Sequence, residues 1–82
     1  MVIIWDELKR RSNLAKHGLD FASLEAGFDF EAARVTRSED GRLKAVGTLN
    51  NAPVVVIFAT LGTEAISIVS LRPASRKERT IR

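Results

Sequence analysis

The chain has 82 residues, is 45% hydrophobic and 28% charged, and carries a formal net charge of +3. That size suits one domain with a modest core, and that composition excludes a disordered chain. With no cysteine and one histidine, His17, the chain offers no disulfide, no thiolate metal site, no thiol nucleophile and no His-rich zinc site. No run approaches the roughly 20 apolar residues that span a bilayer. Met1 to Trp5 leads straight into Asp6 and Glu7, unlike a signal peptide, so a cytoplasmic location is expected.

Val2 to Trp5 is a short β-prone run and reads as a first strand. Asp6 is an N-cap in type, and Glu7 favours a first helical turn. Residues 7–17 follow as a helix ended by Gly18, which suits the left-handed position past a helix. At about 100° per residue, Leu8, Leu14 and Ala15 form a narrow apolar side, expected to pack inward. Lys9, Arg10, Asn13, Lys16 and His17 form the opposite, basic flank, expected to be exposed.

Asp20 caps a second predicted helix, in which Phe21, Leu24 and Phe28 make a buried stripe. Its acids, Asp20, Glu25, Asp29 and Glu31, face no base within the helix, and Gly27 weakens its end. The period then changes. Residues 33–38, 43–49, 54–60 and 65–71 read as strands, separated by turn residues at 38–41, 50–53 and 61–63. Pro73 ends the last strand, and Ser75 caps a short basic helix. The expected fold is α+β: two N-terminal helices packed on one face of an antiparallel sheet. That sheet is a meander of three or four strands plus the N-terminal strand.

The charge is segregated. Residues 72–82 hold Arg72, Arg76, Lys77, Arg79 and Arg82 against Glu78 alone, a net +4, leaving −1 for the rest. A clustered cationic end suits a phosphate-rich partner or is a solvated terminus. No phosphate loop, paired-carboxylate motif or metal-ligand cluster is visible, and no cofactor is expected. Arg, Lys, His and Glu side chains fit one reaction well. RNA supplies its own 2′-hydroxyl nucleophile, and cleavage then needs positioning, proton transfer and charge stabilisation at phosphorus.

Trp5-Asp6-Glu7-Leu8-Lys9-Arg10, followed by Asn13-Leu14-Ala15-Lys16-His17-Gly18-Leu19-Asp20-Phe21, resembles the opening of the BrnT family of toxins. Gly41-Arg42 before Ala45-Val46-Gly47, then Val54-Val55-Val56-Ile57 and Ile66 to Arg72, continue the likeness, and Ala74-Ser75-Arg76-Lys77-Glu78-Arg79 resembles its closing basic motif. The resemblance covers nearly the whole chain, so residues 1–82 are read as one BrnT-like domain. It implies a RelE-like ribonuclease fold, RNA cleavage that slows translation, and a BrnA-type ribbon-helix-helix antitoxin through which operator DNA is bound. Pro73 after Arg72, and the lack of any tyrosine, depart from the family pattern.

On this reading Arg72 stabilises the phosphate, and Arg76 and Arg79 either clamp the RNA backbone or solvate the terminus. Glu78 is a proton acceptor or an ion-pair partner. His17 is a proton carrier or a cap on the first helix's last carbonyls. Lys9, Lys16 and Arg10 lie along the basic flank, Lys9 as a further proton carrier and the other two as RNA contacts. The arginines and this flank are expected to converge on one pocket. The alternative is a basic module that binds RNA or an acidic protein and breaks no bond.

Overall fold

The computed structural model describes residues 1–80; Ile81 and Arg82, the last of the five terminal cations, lie outside the described residues. Five strands form one sheet: β1 (Val2–Trp5), β2 (Arg34–Arg37), β3 (Leu43–Leu49), β4 (Ala52–Leu61) and β5 (Ala65–Pro73), in the order β1-β5-β4-β3-β2. The helices are α1 (Glu7–His17), α2 (Leu24–Gly27) and α3 (Arg76–Thr80). Among the described residues, no helix is long and apolar enough to cross a membrane.

The strands β2 to β5 are the expected antiparallel meander. The β3–β4 hairpin turns on Asn50 and Asn51, both at positive φ (51° and 69°), as a two-residue primed turn requires. The sheet as a whole is mixed, because β1 pairs parallel to β5 from Val2↔Ala65 to Trp5↔Ile68. The second helix is also shorter than expected: a 3-10 turn over Phe21–Ser23 runs into the four residues of α2. Its apolar stripe is nevertheless buried, with Phe21, Leu24 and Phe28 at the centre of the core. Gly27 leaves room there for Leu49, whose methyl a Cβ would meet at 2.7 Å.

The core side of the sheet carries Ala45 and Leu49 on β3, Val54, Val56 and Phe58 on β4, and Ile66, Ile68 and Leu71 on β5. Strict alternation along β5 would put Leu71 opposite Ile66 and Ile68. A bulge prevents this: Phe58 pairs with Ile68 and Ile57 with Ser70, so Val69 is an extra residue. The inserted residue flips the parity of the strand. Leu71 thereby enters the core, and Arg72 reaches the other face.

Helix α1 begins and ends as the sequence predicts. The Asp6 carboxylate accepts from the Lys9 N–H at 3.1 Å, and Gly18 closes the helix at φ 71°. Its orientation is the reverse of the expectation. Leu8 is 75% and Leu14 39% exposed, and the buried residue of the helix is Asn13. Pairing with β1 stops at Ile68, leaving the edge of β5 open at Leu71. The Asn13 carboxamide fills that edge: Nδ2 donates to the Leu71 carbonyl at 2.7 Å and Oδ1 accepts from the Leu71 N–H at 3.1 Å. Buried main-chain groups need such partners, and two fixed hydrogen bonds orient the helix where a narrow apolar stripe does not.

Helix α3 packs on the sheet face opposite the core and α2, and α1 lies along the β5 edge, so the helices are not gathered on one side. Its Glu78 meets Arg72 and Lys44, which alternate with the core residues Leu71 and Ala45. Fully buried Val55, the strand partner of Arg72, lies on this second face.

Candidate nucleic-acid interface

Arg72 sits near the end of β5 on the α3 side of the sheet. Both terminal nitrogens of its guanidinium donate to Glu78, Nη1 to Oε1 and Nη2 to Oε2, each at 2.8 Å. Lys44 Nζ approaches Glu78 Oε2 at 3.3 Å. Glu78 is also the third helical residue behind Ser75. The Ser75 N–H donates to Glu78 Oε1 at 2.9 Å, and the Glu78 N–H donates to Ser75 Oγ at 3.2 Å. This reciprocal capping box confirms Ser75 as the N-cap and fixes Glu78 over the sheet, with its side chain only 12% exposed.

The Arg72 hydrogen bonds, with help from the Ser75 N–H and Lys44, hold the Glu78 carboxyl far below the ordinary carboxylate range, against the effect of burial. The same pair raises the Arg72 pKa. Glu78 therefore stays an anion clasped by the Arg72 guanidinium. A carboxylate with so low a proton affinity is a weak base and a good anchor for a bidentate arginine.

The basic flank of α1 reaches a different concavity. Lys9, Ser12, Asn13 and Lys16 line it together with Val69 and Ser70 of β5, around a volume of about 210 Å³. A second cavity of about 360 Å³ lies between α3 and the β2–β3 end of the sheet, with Arg79, Arg34, Val46 and Pro53 in its walls. The cations thus do not converge on one pocket. They border two, with Arg72 and Glu78 between them. Ser70 lines the first of them, two residues before Arg72 on β5.

The remaining residues are placed as follows. Arg76 is exposed on α3, and only Arg79 of the two helical arginines lines the second cavity. His17 is half-buried in the last turn of α1 and does not line the α1–β5 concavity. Arg10 is committed elsewhere. Its Nε and Nη2 donate to Glu7 at 2.8 and 2.6 Å, and its Nη1 to Asp20 at 3.1 Å. These bonds raise the Arg10 pKa and lower that of Glu7 to about 2. Asp20 accordingly does face a base, and Arg10 ties α1 to the following turn. Lys44 and Arg34 were not legible as site residues. They are ordinary strand positions until the register sets them beside Arg72 and Arg79.

A mixed sheet with a cation-rich face, a half-buried Arg–Glu clasp and flanking basic concavities defines a small, basic α+β protein. Residues 5–78 match the family described as "Ribonuclease toxin, BrnT, of type II toxin-antitoxin system". The chain belongs to this BrnT family, whose toxins each have a cognate antitoxin. Among solved structures, the ribonuclease toxin BrnT of Brucella abortus is similar to it at 47% identity and a TM-score of 0.80, over 93% of this chain and 99% of that one. Comparison with curated protein sequences gave no match.

Proposed function

We propose that this toxin is a metal-independent endoribonuclease of RelE-like type that slows translation by cutting RNA through attack of the 2′-hydroxyl on the adjacent phosphate. The observation that carries the reading is Arg72. It sits half-buried at the end of β5 beside α3, its guanidinium end clasped by Glu78, with its Nε–H and one Nη2–H left to meet a phosphate. A planar cation held in place by a half-buried carboxylate stabilises developing negative charge without reorganising.

In this reading Glu78 aims Arg72 and does not accept the proton. Lys9 and Lys16 hold the RNA backbone along the α1–β5 concavity, and Arg76 and Arg79 hold it on the α3 side. His17 or Lys9 carries protons, and Lys9 is favoured by its place beside Ser70. An antitoxin of the BrnA type, a ribbon-helix-helix protein, silences the toxin by covering this basic face and links it to operator DNA.

The test is cleavage of single-stranded RNA in excess chelator, with analysis of the new ends. Expected are products ending in a 2′,3′-cyclic phosphate, no cutting when the nucleotide 5′ to the scissile phosphate lacks its 2′-hydroxyl, and loss of cutting in Arg72→Ala. Products with a free 3′-hydroxyl, or cutting abolished by the chelator, overturn the proposal.

A further inference from the structure

We infer that the cavity between α3 and the β2–β3 end of the sheet is a subsite for one nucleotide of single-stranded RNA next to the cleavage point; this rests on the ribonuclease reading above. Three features of the cavity fit a nucleotide. Its floor is apolar, made by half-buried Val46 and Pro53, as the face of a base requires. Its walls carry Arg34 and Arg79, and among the described residues neither guanidinium is ion-paired, in contrast to Arg10, Arg11, Lys44 and Arg72. Uncommitted arginines stack on π-faces and bind phosphate.

The third feature is a free main-chain edge. Pairing of β2 with β3 ends at Arg34↔Val46, and the next contact on that side is the Phe28↔Leu49 bridge. Thr48, which lines the cavity, therefore lacks a β2 partner, while Gly47 beside it is paired with Val54. The exposed Thr48 offers donors and acceptors of the kind that splayed-out bases engage.

Register ties this cavity to Arg72. Arg72 pairs with Val55, Val55 with Val46, and Val46 with Arg34, one row across four strands. Three strand spacings place the two arginine Cα atoms roughly 14 Å apart on one face. A phosphate at Arg72 and a base under Arg34 then belong to one extended strand of RNA. That continuity favours RNA over an acidic peptide as the occupant.

The experiment compares full-length wild type with Arg34→Ala and Arg37→Ala, using cleavage and fluorescence anisotropy of one labelled single-stranded RNA oligonucleotide. Arg37 lies on the same strand, removes the same charge, and faces the other side of the sheet. Arg34→Ala is expected to raise KM and Kd about tenfold, the effect of losing one stacking contact, with kcat unchanged and thermal unfolding as in wild type. Arg37→Ala is expected to change neither by more than about twofold, the generic effect of one charge. Equal shifts in both variants overturn the subsite, because net charge then explains them. So does an Arg34→Ala variant that handles RNA as wild type does but escapes its antitoxin, which would make the cavity a protein contact. If wild type does not cut the RNA, the ribonuclease reading fails, and the anisotropy still decides the subsite: an unchanged Kd in Arg34→Ala overturns it.

Discussion

Asn13 and Leu71 are joined by two hydrogen bonds, so that one side-chain amide completes the sheet edge that β1 leaves open. The contact fixes α1 against β5 one residue before Arg72, and it sets where Lys9 and Lys16 stand relative to that arginine.

Asn13→Ala strands both main-chain groups of Leu71 in a fully buried position. An unsatisfied buried donor or acceptor costs about 1–3 kcal/mol, so the variant is expected to lose about 2–4 kcal/mol in urea unfolding. Leu8→Ala, at an exposed position, is expected to change stability by less than about 0.5 kcal/mol. Similar losses for the two would mean that α1 is held by its apolar side after all.

That contrast shows where the sequence was legible. The bounds of α1 follow from Asp6 and Gly18 because caps are local chemistry. The strands follow from turn residues such as Asn50-Asn51 and Gly62 for the same reason. The facing of α1 does not, because Leu8 and Leu14 outnumber Asn13 in hydrophobicity, whereas the strand edge that Asn13 satisfies is more than fifty residues away. The parallel pairing of β1 with β5 and the bulge at Val69 are non-local in the same sense. Arg72 and Glu78 could be picked from the basic end, but Lys44 and Arg34 become candidate site residues only through register.

Glu78 makes stability depend on pH in one direction. Its folded pKa is depressed by Arg72, Ser75 and Lys44, so its contribution is complete above its ordinary value of 4.5 and fades as acid approaches the folded value. Glu78→Gln keeps the shape and removes the charge. The stability gap between wild type and Glu78→Gln is expected to be widest at pH 7 and clearly narrower at pH 3, measured as urea midpoints. Parallel pH profiles would show that Arg72 and Lys44 do not stabilise the charged form.

Gly47 faces the ring of Phe28, and a Cβ there would lie 2.9 Å from the ring carbon Cε1. Neither the ring nor the strand can move easily, so Gly47→Ala is expected to cost about 1–3 kcal/mol, as overpacking does. Gly27→Ala presses chiefly on the terminal methyl of Leu49, the end of a side chain that can turn, and so is expected to cost less. Thermal unfolding should therefore separate the two, with Gly47→Ala the less stable protein.

Arg72→Lys tests whether geometry or charge matters at the centre of the site. Lysine preserves the charge but presents a point ammonium, and it cannot grip Glu78 with two parallel donors while offering others to a phosphate. With Lys44 already against Glu78 Oε2, a second ammonium would compete for the same carboxylate and lie off the phosphate position. The expected outcome is a fall in kcat of about 100-fold or more, the scale of losing one preorganised donor to developing charge, with a smaller change in KM. Glu78→Gln should give a milder loss of the same kind, because a neutral amide offers one acceptor where the carboxylate offers two. Single-turnover cleavage of a fixed RNA by the three proteins checks this, and wild-type kcat in Arg72→Lys would show that Arg72 contributes only its charge.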